Sequence, residues 1–93
     1  MQEEAQREFS LSQNYPNPFN PATTVTCSVP AASRATLTVY DLLGRDVMTA
    51  FDGVLEPGVH AMRIDGAHLA SGTYIYRLTA GGISLSKSMV ILK

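Results

Sequence analysis

At 93 residues the chain is the size of one small domain, with room for a single core. Its formal net charge of −1 gives no electrostatic basis for binding nucleic acid or an anionic membrane surface, and no apolar run approaches the ~20 residues of a membrane-spanning helix. Cys27 is the single cysteine, which excludes an intrachain disulfide.

The chain opens on polar residues. Gln2-Glu3-Glu4-Ala5-Gln6-Arg7-Glu8 lacks the basic–apolar–small-residue order of a secretory leader, which on its face would keep the chain in the cytoplasm. Residues 1–8 are read as a linker or an added tail, with Met1 of uncertain origin, and residues 9–93 as the folded domain. Next comes Gln13-Asn14-Tyr15-Pro16-Asn17-Pro18-Phe19-Asn20-Pro21, in which three prolines alternate with asparagines around two aromatics. Each proline fixes its φ, removes an N–H donor and pushes the preceding residue into extended backbone. Asparagine side chains bond to nearby backbone and replace the lost main-chain pairing. A stiff segment without a regular ladder is expected, with Tyr15 and Phe19 plugging the open end of the core.

From there apolar residues alternate with period two. Val25, Cys27 and Val29 share one face of a strand, with Thr24, Thr26 and Ser28 opposite, which makes Cys27 a small core residue. Pro30 to Ser33 breaks the strand. Ala35, Leu37 and Val39 form the inner face of the next, and Leu43-Gly44-Arg45 turns it into a partner running from Arg45 to Phe51. Asp52-Gly53 and Glu56-Pro57-Gly58 are further turn signals. His60, Met62 and Ile64 are expected to face inward from Val59 to Asp65. Gly66 to Gly72 reads as a longer connection with room for a short helical turn. Tyr74, Tyr76 and Leu78 then share a face, and Gly81-Gly82 closes a hairpin into Ile83–Lys93. In that last strand Lys87 falls in line with Met89 and Ile91, which suggests a bulge or two partly covered faces. Lysine on an edge strand also discourages aggregation. About seven strands with a turn every ~8–12 residues predict an all-β, immunoglobulin-like sandwich of antiparallel strands with no long helix. Gly44, Gly58 and Gly72 are its structural turn glycines.

The residues that carry chemistry do not converge. Zinc needs three or four ligands, and neither His60, His68 nor Cys27 has a partner at a suitable spacing. Asp41, Asp46, Asp52 and Asp65 are spread over separate turns, and no calcium-loop spacing occurs. Ser84, Ser86 and Ser88 alternate along one strand as a solvent face, with no base beside them. There is no nucleophile elbow and no phosphate-cradling glycine loop. No catalytic residue, metal or cofactor is expected.

Four segments carry a family resemblance. Leu11 to Thr23 resembles the opening phrase L-x-Q-N-Y-P-N-P-F-N-P-x-T of the type A C-terminal sorting domain of the type IX (Por) secretion system. Val39-Tyr40-Asp41-Leu42-Leu43-Gly44-Arg45-Asp46-Val47 is similar to its V-Y-D-V-L-G-R-E-V. Leu69-Ala70-Ser71-Gly72-Thr73-Tyr74 is similar to its L-A-S-G-V-Y, and Lys87-Ser88-Met89-Val90-Ile91-Leu92-Lys93 to its closing K-x-M-V-L-L-K. The matches fall in order between Phe9 and Lys93. Cys27-Ser28 departs from a usual β-branched or aromatic pair, and His60-Ala61-Met62 and Gly66-Ala67-His68 match loosely.

The resemblance implies an address rather than an activity. It implies a non-catalytic signal at the end of a larger exported protein, whose cargo lies N-terminal. Passage would run through the periplasm to the outer-membrane translocon and on to the cell surface or the medium. A sortase-like peptidase would cut in or before Gln2–Ser10. The implied recognition residues are Asn14, Pro16, Asn17, Pro18, Phe19, Asn20 and Pro21, together with Lys87, Met89, Val90, Ile91, Leu92 and Lys93. A folded β-domain can be read through an exposed edge strand, which makes Ser84 to Lys93 the expected recognition edge. Two other readings stand beside this one. The Val39–Val47 phrase also resembles the immunoglobulin-like domain of flagellar hook-capping proteins, a structural module. A carbohydrate-binding accessory module is the third, although the chain has no Trp and Tyr74 and Tyr76 alternate in phase with Leu78.

Overall fold

The computed structural model describes residues 8–93. Residues 1–7 of the tail expected at residues 1–8, and most of the expected cleavage region, lie outside the described residues. Seven strands follow in order: β1 (Ser10–Leu11), β2 (Ala22–Val29), β3 (Ser33–Tyr40), β4 (Asp46–Leu55), β5 (Gly58–Asp65), β6 (Gly72–Ala80) and β7 (Ile83–Ile91). They form a three-stranded sheet, β1-β2-β5, and a four-stranded sheet, β4-β3-β6-β7, with all strand pairs antiparallel. This is an all-β sandwich. Relative to a constant-type immunoglobulin domain, the fourth strand has changed sheets and pairs with the third. Among the described residues no helix forms, and the Gly66–Ser71 connection holds a β-turn closed by Leu69 N–H to the Gly66 carbonyl, 2.9 Å, where a helical turn was expected.

The period-two pattern sets the core. Register places Ala35 opposite Ala80, Leu37 opposite Leu78 and Val39 opposite Tyr76, so the inner faces of β3 and β6 align as rows. Val25, Cys27 and Val29 of β2 and Met62 and Ile64 of β5 close over them from the other sheet. Leu37, Val39 and Leu78 are fully buried, and Tyr74 nearly so. Cys27 is a buried free thiol, and burial pushes its pKa up.

Two local expectations are corrected. Asp52-Gly53 is not a turn: both residues lie inside β4, and the Phe51 ring crosses Gly53, 3.3 Å from where a Cβ would stand. Glycine inside a strand makes room for a neighbouring aromatic, and its turn-forming tendency is overridden. His60 lies on the inner face with Met62 and Ile64, as expected, paired with the buried Cys27; it is half-buried, and its Nε2 donates to the Glu56 carbonyl at 2.7 Å. β7 carries no bulge and pairs with β6 without interruption from Ile91 to Ile83. Lys87 stands on the inner side opposite Tyr76 yet is exposed.

Gly44, Gly58 and Gly72 all adopt positive φ, at 85°, 126° and 155°. The β3–β4 reversal is organised by Asp41. Its Oδ1 accepts the backbone N–H groups of Leu43 and Arg45 at 2.9 Å each, and its Oδ2 accepts Arg45 Nε at 2.7 Å. The Arg45 backbone N–H, with the Arg45 side chain and the Leu43 N–H, holds the Asp41 carboxyl below its usual pKa against the opposing effect of desolvation. The lowered pKa adds stability above the ordinary aspartate range, and that stability is lost as pH falls through the lowered value.

Two measurements check this account of the fold. Leu37→Ala removes a fully buried side chain between the sheets and is expected to cost ~2–4 kcal/mol in urea denaturation. Asp41→Asn is expected to flatten the acid limb: between about pH 5 and pH 2 the wild type loses more stability than the variant.

Candidate recognition site: the N-terminal strap and the last strand

Ser12 to Pro21 forms a strap that leaves one sheet and joins the other. On the β2 side, Ser12 N–H donates to the Thr26 carbonyl at 2.8 Å, and Tyr15 exchanges both of its main-chain hydrogen bonds with Thr24, at 2.9 and 3.0 Å. On the β7 side, Phe19 N–H donates to the Val90 carbonyl and Leu92 N–H donates to the Phe19 carbonyl, both 3.0 Å, making a parallel bridge between Phe19 and Ile91. Proline explains why this contact is not a ladder. Pro16, Pro18 and Pro21 have no N–H, so only the residues between them can pair.

Side chains supply the rest, as the asparagine content predicts. The Val90 N–H donates to Asn17 Oδ1 at 2.9 Å. Gln13 Nε2 reaches the Ser88 carbonyl at 2.7 Å. Asn14 is buried and donates through Nδ2 to the Pro16 carbonyl and to Thr23 Oγ1, both 3.1 Å, while Thr23 Oγ1 donates to the same Pro16 carbonyl at 2.7 Å. Asn20 is exposed and makes no side-chain hydrogen bond among the described residues. From the core, Tyr76 Oη donates to the Ser12 carbonyl at 2.7 Å. Burial raises the Tyr76 pKa, and a hydrogen bond with the Asn14 backbone offsets part of that rise.

The predicted recognition residues therefore come together in space, although they lie at opposite ends of the chain. Their burial divides them. Asn14, Phe19, Met89 and Ile91 are core residues, at 3% exposure or less. Val90 is half-buried, and Pro16, Asn17, Pro18, Asn20, Pro21, Lys87, Leu92 and Lys93 are exposed. Tyr15 corrects the expectation of two aromatic plugs. Phe19 fills the core alone, and Tyr15 is 81% exposed. The alternation of an extended segment turns Asn14 inward and Tyr15 outward. Lys93 is exposed but tethered: its N–H donates to Ser71 Oγ at 2.9 Å and its Nζ to the Ala67 carbonyl at 2.6 Å.

Gly66 is a site residue that sequence reasoning missed. Its N–H donates to the Pro21 carbonyl at 2.7 Å. A Cβ there would lie 2.9 Å from Ile91 Cδ1, 3.3 Å from the Pro21 carbonyl oxygen and 3.4 Å from the Phe19 ring. Glycine is required here by close approach, and only the three-dimensional meeting of strap, loop and β7 reveals it. Gln13 and Thr23 were also missed, though both lie inside the quoted opening phrase.

Residues 13–92 match the family described as the secretion system C-terminal sorting domain. The chain belongs to that family, the sorting domains of type IX secretion. No curated protein sequence matches the chain significantly.

Gly66→Ala places a methyl group against the Ile91 side chain and the Pro21 backbone. Its expected cost is ~1–3 kcal/mol in thermal or urea unfolding, with most of the loss at the strap, as read by amide exchange of Phe19 and Leu92.

Proposed function

We propose that this domain is a non-catalytic address that takes an attached N-terminal cargo across the outer membrane through the type IX translocon to the cell surface or medium. The observation that carries the reading is the family match across residues 13–92, which spans both the strap and β7. The strap–β7 junction supports it physically. A signal read in its folded form needs its two end phrases in one fixed geometry, and Phe19, Val90 and Leu92 supply that geometry through main-chain bonds. The exposed members of the recognition set, Pro16, Asn17, Pro18, Asn20, Pro21, Lys87, Leu92 and Lys93, are the ones a receptor can touch without unfolding the domain. Met89, Ile91 and Phe19 act through the fold. A sortase-like peptidase that cuts in or before Gln2–Ser10 fits the same reading. The titratable groups that stand out, Asp41, Cys27 and Tyr76, serve a turn, the core and the strap respectively.

The test is a fusion of residues 9–93 behind an export leader and a folded reporter in a host with type IX machinery. Surface display of the reporter is expected, and retention in the periplasm would return the domain to the structural-module reading. Lys93→Ala removes one exposed hydrogen bond, so stability should change by no more than about 0.5 kcal/mol. Reduced display at a constant folded fraction assigns Lys93 to the receptor contact, and unchanged display in both Lys93→Ala and Lys87→Ala removes the lysines from it.

A further inference from the structure

β7 is an edge strand, but only half of its edge is open. In the two-residue hairpin, Gly81 and Gly82 have φ of 58° and 81°, the left-handed pair of a type I′ turn, and Ala80 closes it against Ile83. Counting by two from that closure, the odd residues Ile83 to Ile91 bond back to β6. The even residues Ser84, Ser86, Ser88, Val90 and Leu92 aim their N–H and C=O groups outward. The strap consumes the far end of this outward row: the Ser88 carbonyl, both groups of Val90 and the Leu92 N–H. Ser84, Ser86 and the Ser88 N–H face outward with no partner among the described residues.

This open stretch lacks the usual defences of an edge. β4, the opposite edge of the same sheet, slips register twice against β3, between Leu37 and Thr38 and between Val39 and Tyr40. Such irregularities twist an edge away from would-be partners. β7 pairs across nine residues without a slip. Its one guard is Lys87, an exposed charge on the inner side, next to the half-buried Leu85. At the start of the strand, Phe9, Val29, Pro30, Ala31, Ala80 and Ile83 line an apolar pocket of about 240 Å³. That is smaller than the ~300–1,000 Å³ of ligand pockets and of the scale of a side chain.

We propose that Ile83–Ser88 is where an extended strand of the secretion receptor adds to the four-stranded sheet. Its main chain bonds to Ser84 and Ser86, an apolar side chain enters the pocket beside Ile83, and an acidic side chain meets Lys87. The proposal rests on the sorting function above and narrows the contact to the half of β7 that the strap leaves free. Strand addition suits this row, because main-chain bonds give affinity while alternate side chains give selectivity. Lys87 repels a second cationic edge and favours an acidic partner. A second copy of this domain is the poorer occupant: it offers the same short row, ended at Ser88 by its own Gln13.

The experiment compares export of the reporter fused to wild-type domain, Ser86→Ala, Ser86→Pro and Lys87→Glu, with the melting midpoint of each purified fusion. Ser86→Ala keeps the N–H and should export like wild type. Ser86→Pro removes an N–H that β6 does not use. It should lower export by at least about tenfold at an unchanged midpoint, because a lost hydrogen bond and a ring clash fall together. Lys87→Glu keeps every backbone group and changes only an exposed side chain, so it remains decisive if the proline variant unfolds. It should also lower export by about tenfold, as an ion pair becomes a like-charge contact. Wild-type export from a folded Ser86→Pro, or from Lys87→Glu, overturns the strand addition and leaves the sorting function standing. Failure of the wild-type fusion to export overturns the sorting function itself. A concentration-dependent dimer abolished by Ser86→Pro, with export unaffected, assigns the edge to a second copy and overturns the receptor contact.

Discussion

The closing end of the sandwich depends on one pair of hydrogen bonds, Phe19 N–H to the Val90 carbonyl and Leu92 N–H to the Phe19 carbonyl. They join segments that are more than seventy residues apart in a chain of 93. Loop closure over that distance carries an entropic cost, and two exposed hydrogen bonds would not offset it alone. The Phe19 ring supplies the difference. It is 3% exposed and packs beside Ile91 over Gly66, and full burial of such a ring contributes about 1.5–3 kcal/mol. Asn17 and Gln13 add side-chain bonds to the same strand. The junction is therefore a hydrophobic anchor with a polar frame around it.

The prolines limit how far the strap can zip. A strand with a free N–H at every residue would run along β7 and cover its whole edge. With three N–H groups missing, the strap pairs at Phe19 and then turns away through Pro21 to Gly66. The result is a sheet whose last strand is sealed at its C-terminal half and open at its N-terminal half. The same strap bonds β2 through Ser12 and Tyr15, and accepts the Tyr76 hydroxyl at the Ser12 carbonyl. Both sheets are thus tied together by a segment that belongs fully to neither.

Period-two alternation made most of the sandwich legible in the sequence. Leu37, Val39, Tyr74 and Leu78 face inward as read, because a half-buried strand has only two faces and the apolar residues occupy one. The failures have physical causes. Gly53 reads as a turn but sits inside β4, since the Phe51 ring fills the space that its missing side chain leaves. Tyr15 reads as a plug because it is aromatic, but the extended backbone alternates and the buried, fully bonded Asn14 takes the inward place. Lys87 reads as a bulge, or as part of a strand with two partly covered faces, because it interrupts an apolar row. The pairing is continuous, and Lys87 stays on the inner side as an exposed charge. Gly66 could not be read at all, because its constraint comes from Ile91, Pro21 and Phe19, which local sequence does not bring together. The family phrases marked both ends of the site, but not that the ends touch.

Amide hydrogen exchange at Leu92 tests this account most directly. Its N–H lies past the end of β7, on a residue that is 61% exposed, and its protection comes from the Phe19 carbonyl. Protection of Leu92 within reach of that at Leu78 in the core is the expected result, with selective loss at Leu92 and Val90 in Phe19→Ala while Leu78 holds. A Leu92 amide that exchanges in the wild-type domain at the rate of a free chain end would contradict the junction, and with it the single folded signal built from both ends of the chain.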